Sequence, residues 1–150
     1  MTQADWNYPT QIHVGPGRRV ELADYCQSLK IQRPLIVTDR MLLGLPLVQE
    51  VLAALSAAGL APGVFSEVNG NPTGSEVGAG CQAYRAGGHD GVLAIGGGSA
   101  MDVGKTIAVM AHQRCALFDL EDIGDQWQRA DASVIQPIIA VPTTAGTGSE

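Results

Sequence analysis

The sequence predicts an α/β fold: a doubly wound, mostly parallel sheet with helices on both faces. Three observations predict it. Short apolar runs without polar alternation recur at residues 34–38, 91–95 and 137–141, as strands buried on both faces require. Helical stretches of ten to fourteen residues separate them, which is the order of a βαβ chain. Nineteen of the 150 residues are glycine, nearly twice the usual share of about 7%, and they gather at segment ends, where strands turn into helices.

In chain order, a short opening segment at residues 11–14 leads to the turn Gly15-Pro16-Gly17. A helix carrying Val20, Leu22, Ala23 and Leu29 follows. Pro34-Leu35-Ile36-Val37-Thr38 reads as a buried strand, residues 45–58 as a helix, residues 63–68 as a strand and residues 75–86 as a helix. Gly91-Val92-Leu93-Ala94-Ile95 is the next strand, and a helical pattern runs from its glycines to Ala111. Residues 117–133 are polar and weakly periodic, a surface excursion with a short helical turn. Pro137-Ile138-Ile139-Ala140-Val141 closes the series before a Thr- and Gly-rich loop.

Residues 1–150 suffice for one domain with a core and are too few for two. With 45% hydrophobic and 16% charged residues, general disorder is excluded. The net charge of −6 repels nucleic-acid phosphate and anionic membranes, and no basic patch offsets it. No secretory leader and no run of ~18 apolar residues is seen. Cys26, Cys81 and Cys115 are far apart and odd in number, so free thiols in a reducing cytoplasm are expected.

Ligands of open α/β sheets bind at the carboxyl ends of the strands. After Ile95 comes Gly96-Gly97-Gly98-Ser99, then a helix with Asp102 and Lys105. Glycines let backbone amides approach an anion, and a helix start favours a phosphate. The alternative is local: Ser99 and Asp102 have the spacing of a capping box, which needs no ligand. Asp39 follows the strand ending at Thr38 and suits two ribose hydroxyls, or a helix N-cap. Asn71 in Asn71-Pro72-Thr73 occupies a similar place, with an Asx-turn as its local reading.

The final loop, Pro142-Thr143-Thr144-Ala145-Gly146-Thr147-Gly148-Ser149-Glu150, offers hydroxyls and amides to a nucleotide, or is a plain loop. His13, His89 and His112 lie on separate elements without metal-ligand spacing, and the acids at 119–131 read as a solvated face. Two common fingerprints fail. Asp39 precedes the glycine loop by 57 positions, the reverse of the simple dinucleotide pattern. A triphosphate loop would need four residues between Gly98 and Gly104, where five stand.

Jointly, Gly96-Gly97-Gly98-Ser99-x-x-Asp102-x-x-Lys105 and the loop from Pro142 to Glu150 resemble the iron-containing (group III) alcohol dehydrogenase family. Val37-Thr38-Asp39, Asn71-Pro72-Thr73 and the order of elements match as well, over nearly the whole chain. The resemblance implies a Rossmann-like NAD-binding domain in which Gly97, Gly98 and Ser99 hold the pyrophosphate. Asp39 and Asn71 would face the adenosine side, and Thr143, Thr144 and Thr147 would line the rest of the cleft. Lys105 would be structural and point away from the amides.

The activity implied is reduction of aldehydes or ketones, or oxidation of alcohols, by hydride transfer at a divalent metal, iron or zinc. The family's metal ligands, an Asp and three His, belong to a helical C-terminal domain that these 150 residues do not contain. The expectation is therefore an NAD-binding part, truncated at its C-terminal end and inactive alone, with neither catalytic nor metal residues of its own. A free-standing nucleotide-binding or regulatory module is the alternative, and a nucleotide triphosphatase the runner-up. The partner expected is a small-molecule alcohol, aldehyde or ketone; no nucleic acid or membrane is expected, and the family suggests a homo-oligomer, with residues 11–14 as a contact.

Overall fold

The computed structural model describes residues 10–149. Four parallel strands, β1 (Pro34–Val37), β2 (Gly63–Phe65), β3 (Gly91–Gly96) and β4 (Ile138–Pro142), form a sheet in the order β2-β1-β3-β4. Five α-helices accompany it: α1 (Leu22–Ser28), α2 (Arg40–Leu43), α3 (Pro46–Ala57), α4 (Gly74–Ala86) and α5 (Gly98–Met110). The predicted class is therefore present, with a 3-10 turn, Arg18–Glu21, leading into α1.

Alternating side chains of the central strands serve two cores. Leu35 and Val92, paired across β1 and β3, pack with Val77, Tyr84, Val103 and Ile107 of α4 and α5. Ile36 and Leu93, the next pair, pack with Leu22, Cys26, Val48, Val51 and Leu55 of α1 and α3. Side chains on successive residues point to opposite faces of a strand, so the continuous apolar runs feed both layers. Burial pushes the Cys26 thiol up to about 11, and Cys26, Cys81 and Cys115 are free.

Several expectations are corrected. The opening segment at residues 11–14 has no regular secondary structure, and the helix expected after Gly17 begins as a 3-10 turn, Arg18–Glu21, before α1. The strand expected at 63–68 ends at Phe65. β4 is only partly buried, because it is bonded to β3 alone and lacks a strand on its other side among the described residues. The polar excursion holds three 3-10 turns, Leu117–Leu120, Gln126–Arg129 and Ala132–Val134. No helix of the described residues is long and apolar enough to cross a membrane.

Candidate dinucleotide cleft

The strand order creates the site. After β1 the chain crosses to β2 on one side, then returns past β1 to β3 on the other. Connections leave in opposite directions at this switch point, which opens a crevice outside the carboxyl ends of β1 and β3. Asp39 stands at one lip and Gly96-Gly97-Gly98 at the other. Asn71 follows β2 and Thr143 follows β4, so the four segments that carry the expected cofactor contacts each follow the carboxyl end of a strand.

Gly96 has φ 154°, and a Cβ there would stand 2.6 Å from Ala100 Cβ; glycine is what allows β3 to turn directly into α5. Gly97 is the N-cap of α5 and provides no side-chain cap. The capping box expected of Ser99 and Asp102 is therefore not formed, because the N-cap falls at Gly97 and Ser99 already lies inside the helix. The amides of Gly98, Ser99 and Ala100 precede the first bond of the helix, Met101 N–H to the Gly97 carbonyl at 3.2 Å. No acidic side chain stands in the first turn, so the positive end of a 13-residue helix is unopposed there.

The Thr- and Gly-rich loop lies across this turn. Thr143 N–H donates to the Gly96 carbonyl at 2.9 Å. A Cβ on Gly97 would come 3.2 Å from Thr144 Oγ1, and one on Gly98 would come 3.1 Å from Ser149 Oγ and 3.2 Å from Thr147 Cβ. The space over both glycines is thus a cradle that any side chain would enter. Glu150, the last residue of the motif, is outside the described residues.

Asp39 is the N-cap of α2: its Oδ1 accepts from the amides of Met41 and Leu42, both at 2.9 Å. The local reading of Asp39 is thereby realised, and its second oxygen takes no part in the cap. Beside it, Arg40 stands 3.9 Å from Glu67 across an exposed ion pair, and Asp39 and Glu67 form an antiparallel bridge. Just before Asp39, Thr38 is fully buried, and its hydroxyl has no hydrogen-bond partner among the described residues.

Asn71 adopts a left-handed conformation, φ 55°, which Asn tolerates better than most residues. Its neighbours hold it in place through a device not anticipated from the sequence. Thr73 caps α4 in a capping box with Glu76, whose carboxylate also accepts from the Asn69 amide at 2.9 Å. The signal was present as Thr-x-x-Glu. The hydrogen bonds from Thr73 and Asn69 hold the Glu76 carboxyl down at about 2.

A carboxyl whose folded value is depressed adds stability above its unfolded value, and that stability is lost as pH falls through the folded one. The start of α4 and the 69–73 turn should loosen between about pH 4.5 and pH 2. Glu76→Gln should flatten this part of the acid-unfolding profile. Equal slopes for the two proteins, followed by circular dichroism, would refute the assignment.

Lys105 corrects another expectation. Its Nζ donates to the Ser149 carbonyl, so it reaches toward the loop over the helix start. Side chains on a helix lean toward its N-terminus, and that tilt carries the ammonium upward. Along the same face, a cleft of about 580 Å³ lies between α4, α5 and the 3-10 turn Leu117–Leu120, with Val77, Asp102, Lys105, Met110 and Phe118 in its wall.

The family follows from comparison. The model of the iron-containing alcohol dehydrogenases matches residues 9–150. This chain belongs to the iron-containing alcohol dehydrogenase family. It is 39% identical over 144 residues to 4-hydroxybutyrate dehydrogenase of Cupriavidus necator, covering 95% of the chain and 37% of that protein. Lactaldehyde reductase of Escherichia coli strain K12 is 35% identical over 136 residues, 91% of the chain and 35% of the relative.

Among solved structures, sulfoacetaldehyde reductase from Bifidobacterium kashiwanohense in complex with NAD+ superposes with a TM-score of 0.87 at 33% identity. That match covers 100% of this chain and 38% of the other. The chain thus spans less than two-fifths of the length of these relatives. The described residues of this iron-containing alcohol dehydrogenase chain hold no group of three or more His, Cys, Asp or Glu side chains suited to a metal ion. What the helix start offers instead is the backbone amides of Gly98, Ser99 and Ala100.

Proposed function

We propose that residues 1–150 form the NAD-binding domain of a dehydrogenase that interconverts small alcohols with aldehydes or ketones. The observation that carries this reading is the meeting of Asp39 and the Gly96-Gly97-Gly98 turn at the switch point between β1 and β3. Bound NAD would accept or return a hydride. The amides at the start of α5 would hold its pyrophosphate, the free oxygen of Asp39 a ribose hydroxyl, and Thr143, Thr144 and Thr147 the far side of the dinucleotide.

Family membership and the names of the relatives support the substrate class. Metal ligation, by an Asp and three His in the family pattern, would fall to residues outside this chain. Self-association through the exposed segment with Ile12 and Val14 belongs to the same reading, as does a cytoplasmic location. Calorimetric titration with NAD tests the central point: saturable binding supports the assignment, and no heat of binding at millimolar NAD overturns it. An alcohol panel on protein that also binds NAD separates a dehydrogenase from a non-catalytic binding module.

Cofactor choice gives a sharper prediction. The corner holds the carboxylates of Asp39 and Glu67 against one guanidinium, and Arg40 is turned toward Glu67. A 2′-phosphate would meet net negative charge, so NAD should be preferred over NADP. Because Asp39 caps α2, Asp39→Gly removes cap and charge together, whereas Asp39→Asn keeps a good cap and removes only the charge. The Asn variant should narrow the NAD-to-NADP affinity ratio by about tenfold, on the order of one charge interaction in a partly exposed site, with unchanged thermal stability. An unaltered ratio would leave Asp39 a purely structural cap.

A further inference from the structure

We propose that Lys105 is a positioning residue for the dinucleotide, its ammonium holding the Thr- and Gly-rich loop closed over the start of α5. This rests on the NAD reading above. The bond from Lys105 Nζ to the Ser149 carbonyl joins residues 44 apart in sequence. It fixes the far end of a loop whose near end is fixed by Thr143 N–H on the Gly96 carbonyl. One anchor is thus the end of β3 and the other the middle of α5, and the loop spans the start of the helix between them like a strap.

The loop needs such an anchor. Residues 143–148 are exposed, and Gly146 and Gly148 sit at φ 76° and 80°, conformations in which glycine leaves the backbone many alternatives. The hydroxyls of Thr144, Thr147 and Ser149 reach the cradle only while the loop lies on Gly97 and Gly98. Lys105 itself stands seven residues after Gly98, about 10 Å along the helix axis, and its stem carries the ammonium up to the Ser149 carbonyl, which holds it. It acts on the cofactor through the loop.

Two variants and two measurements test this on the complete protein. Lys105→Met keeps the aliphatic stem and removes the donor; Lys105→Arg keeps a cation of similar reach. Hydrogen exchange of residues 143–149 without ligand should be about tenfold faster in the Met variant, with the strands unchanged, and NAD should bind about tenfold more weakly, the loss typical of one charge-assisted hydrogen bond. In turnover, KM for NAD should rise while kcat holds, and the Arg variant should recover most of the affinity. Unchanged loop exchange overturns the anchor, and faster exchange with unaltered NAD affinity overturns the positioning role. A parallel fall of kcat and melting temperature overturns it as well, since that marks general destabilisation. If the unsubstituted protein binds no NAD, the cofactor reading fails separately, and loop exchange still decides whether Lys105 is the anchor.

Discussion

Gly98→Val should weaken NAD binding about a hundredfold while leaving the fold intact. A Cβ at this position would already approach Ser149 Oγ at 3.1 Å and Thr147 Cβ at 3.2 Å, and the branched methyls of valine extend further into the cradle. The loop must lift, and the pyrophosphate loses close approach to the first amides of α5. Two hydrogen bonds to a charged group at about 1.5 kcal/mol each amount to about 3 kcal/mol, or about two powers of ten in affinity. The folded state bears little of this, because the loop is exposed and valine is a better helix residue than glycine. Calorimetry and a thermal melt check both halves. Wild-type affinity in the variant would remove the glycine turn from the site.

Gly104→Leu should instead damage the fold. Gly104 is where α5 rests on β3: a Cβ there would come 2.7 Å from Ala94 Cβ and 3.5 Å from Val92 Cγ1. Neither neighbour can move aside, since Ala94 and Val92 belong to a fully buried central strand. The helix must rise off the sheet, separating Val103 and Ile107 from their core. Overpacking of this kind costs about 3 kcal/mol, which for a domain of this size lowers the melting temperature by roughly 10 °C. NAD affinity should fall too, since the amides that face the cofactor ride on the same helix. A melting temperature within about 2 °C of wild type would show that α5 does not depend on this close contact.

The two glycines illustrate how far the sequence could be read. Gly98 was marked by its place after a strand, because a strand-to-helix turn is a local event between neighbouring residues. Gly104 carried no such mark, as its reason is Ala94 on another element. The same division runs through the cleft. Asp39 was read as either a ribose contact or a cap; its bonds to Met41 and Leu42 realise the cap and leave one oxygen for the other role. Ser99 and Asp102 had the spacing of a capping box, yet Gly97 is the N-cap of its helix and the box falls to Thr73 and Glu76. Spacing alone cannot choose between two such pairs, since a box works only if its first residue is the N-cap.

By itself the sequence determined the α/β class, the approximate place of each strand and helix, and the four segments that follow the strands. These depend on apolar runs, helical periodicity and glycine turns, all expressed within a few residues of chain. Only the tertiary structure decided that β1 and β3 are neighbours, that β4 is left half-exposed at an edge, and that Lys105 reaches back to Ser149. Strand order and cross-chain bonds are set by which apolar faces bury one another across tens of residues. No local pattern encodes that choice, and it is what gathers the separate loops into one cleft.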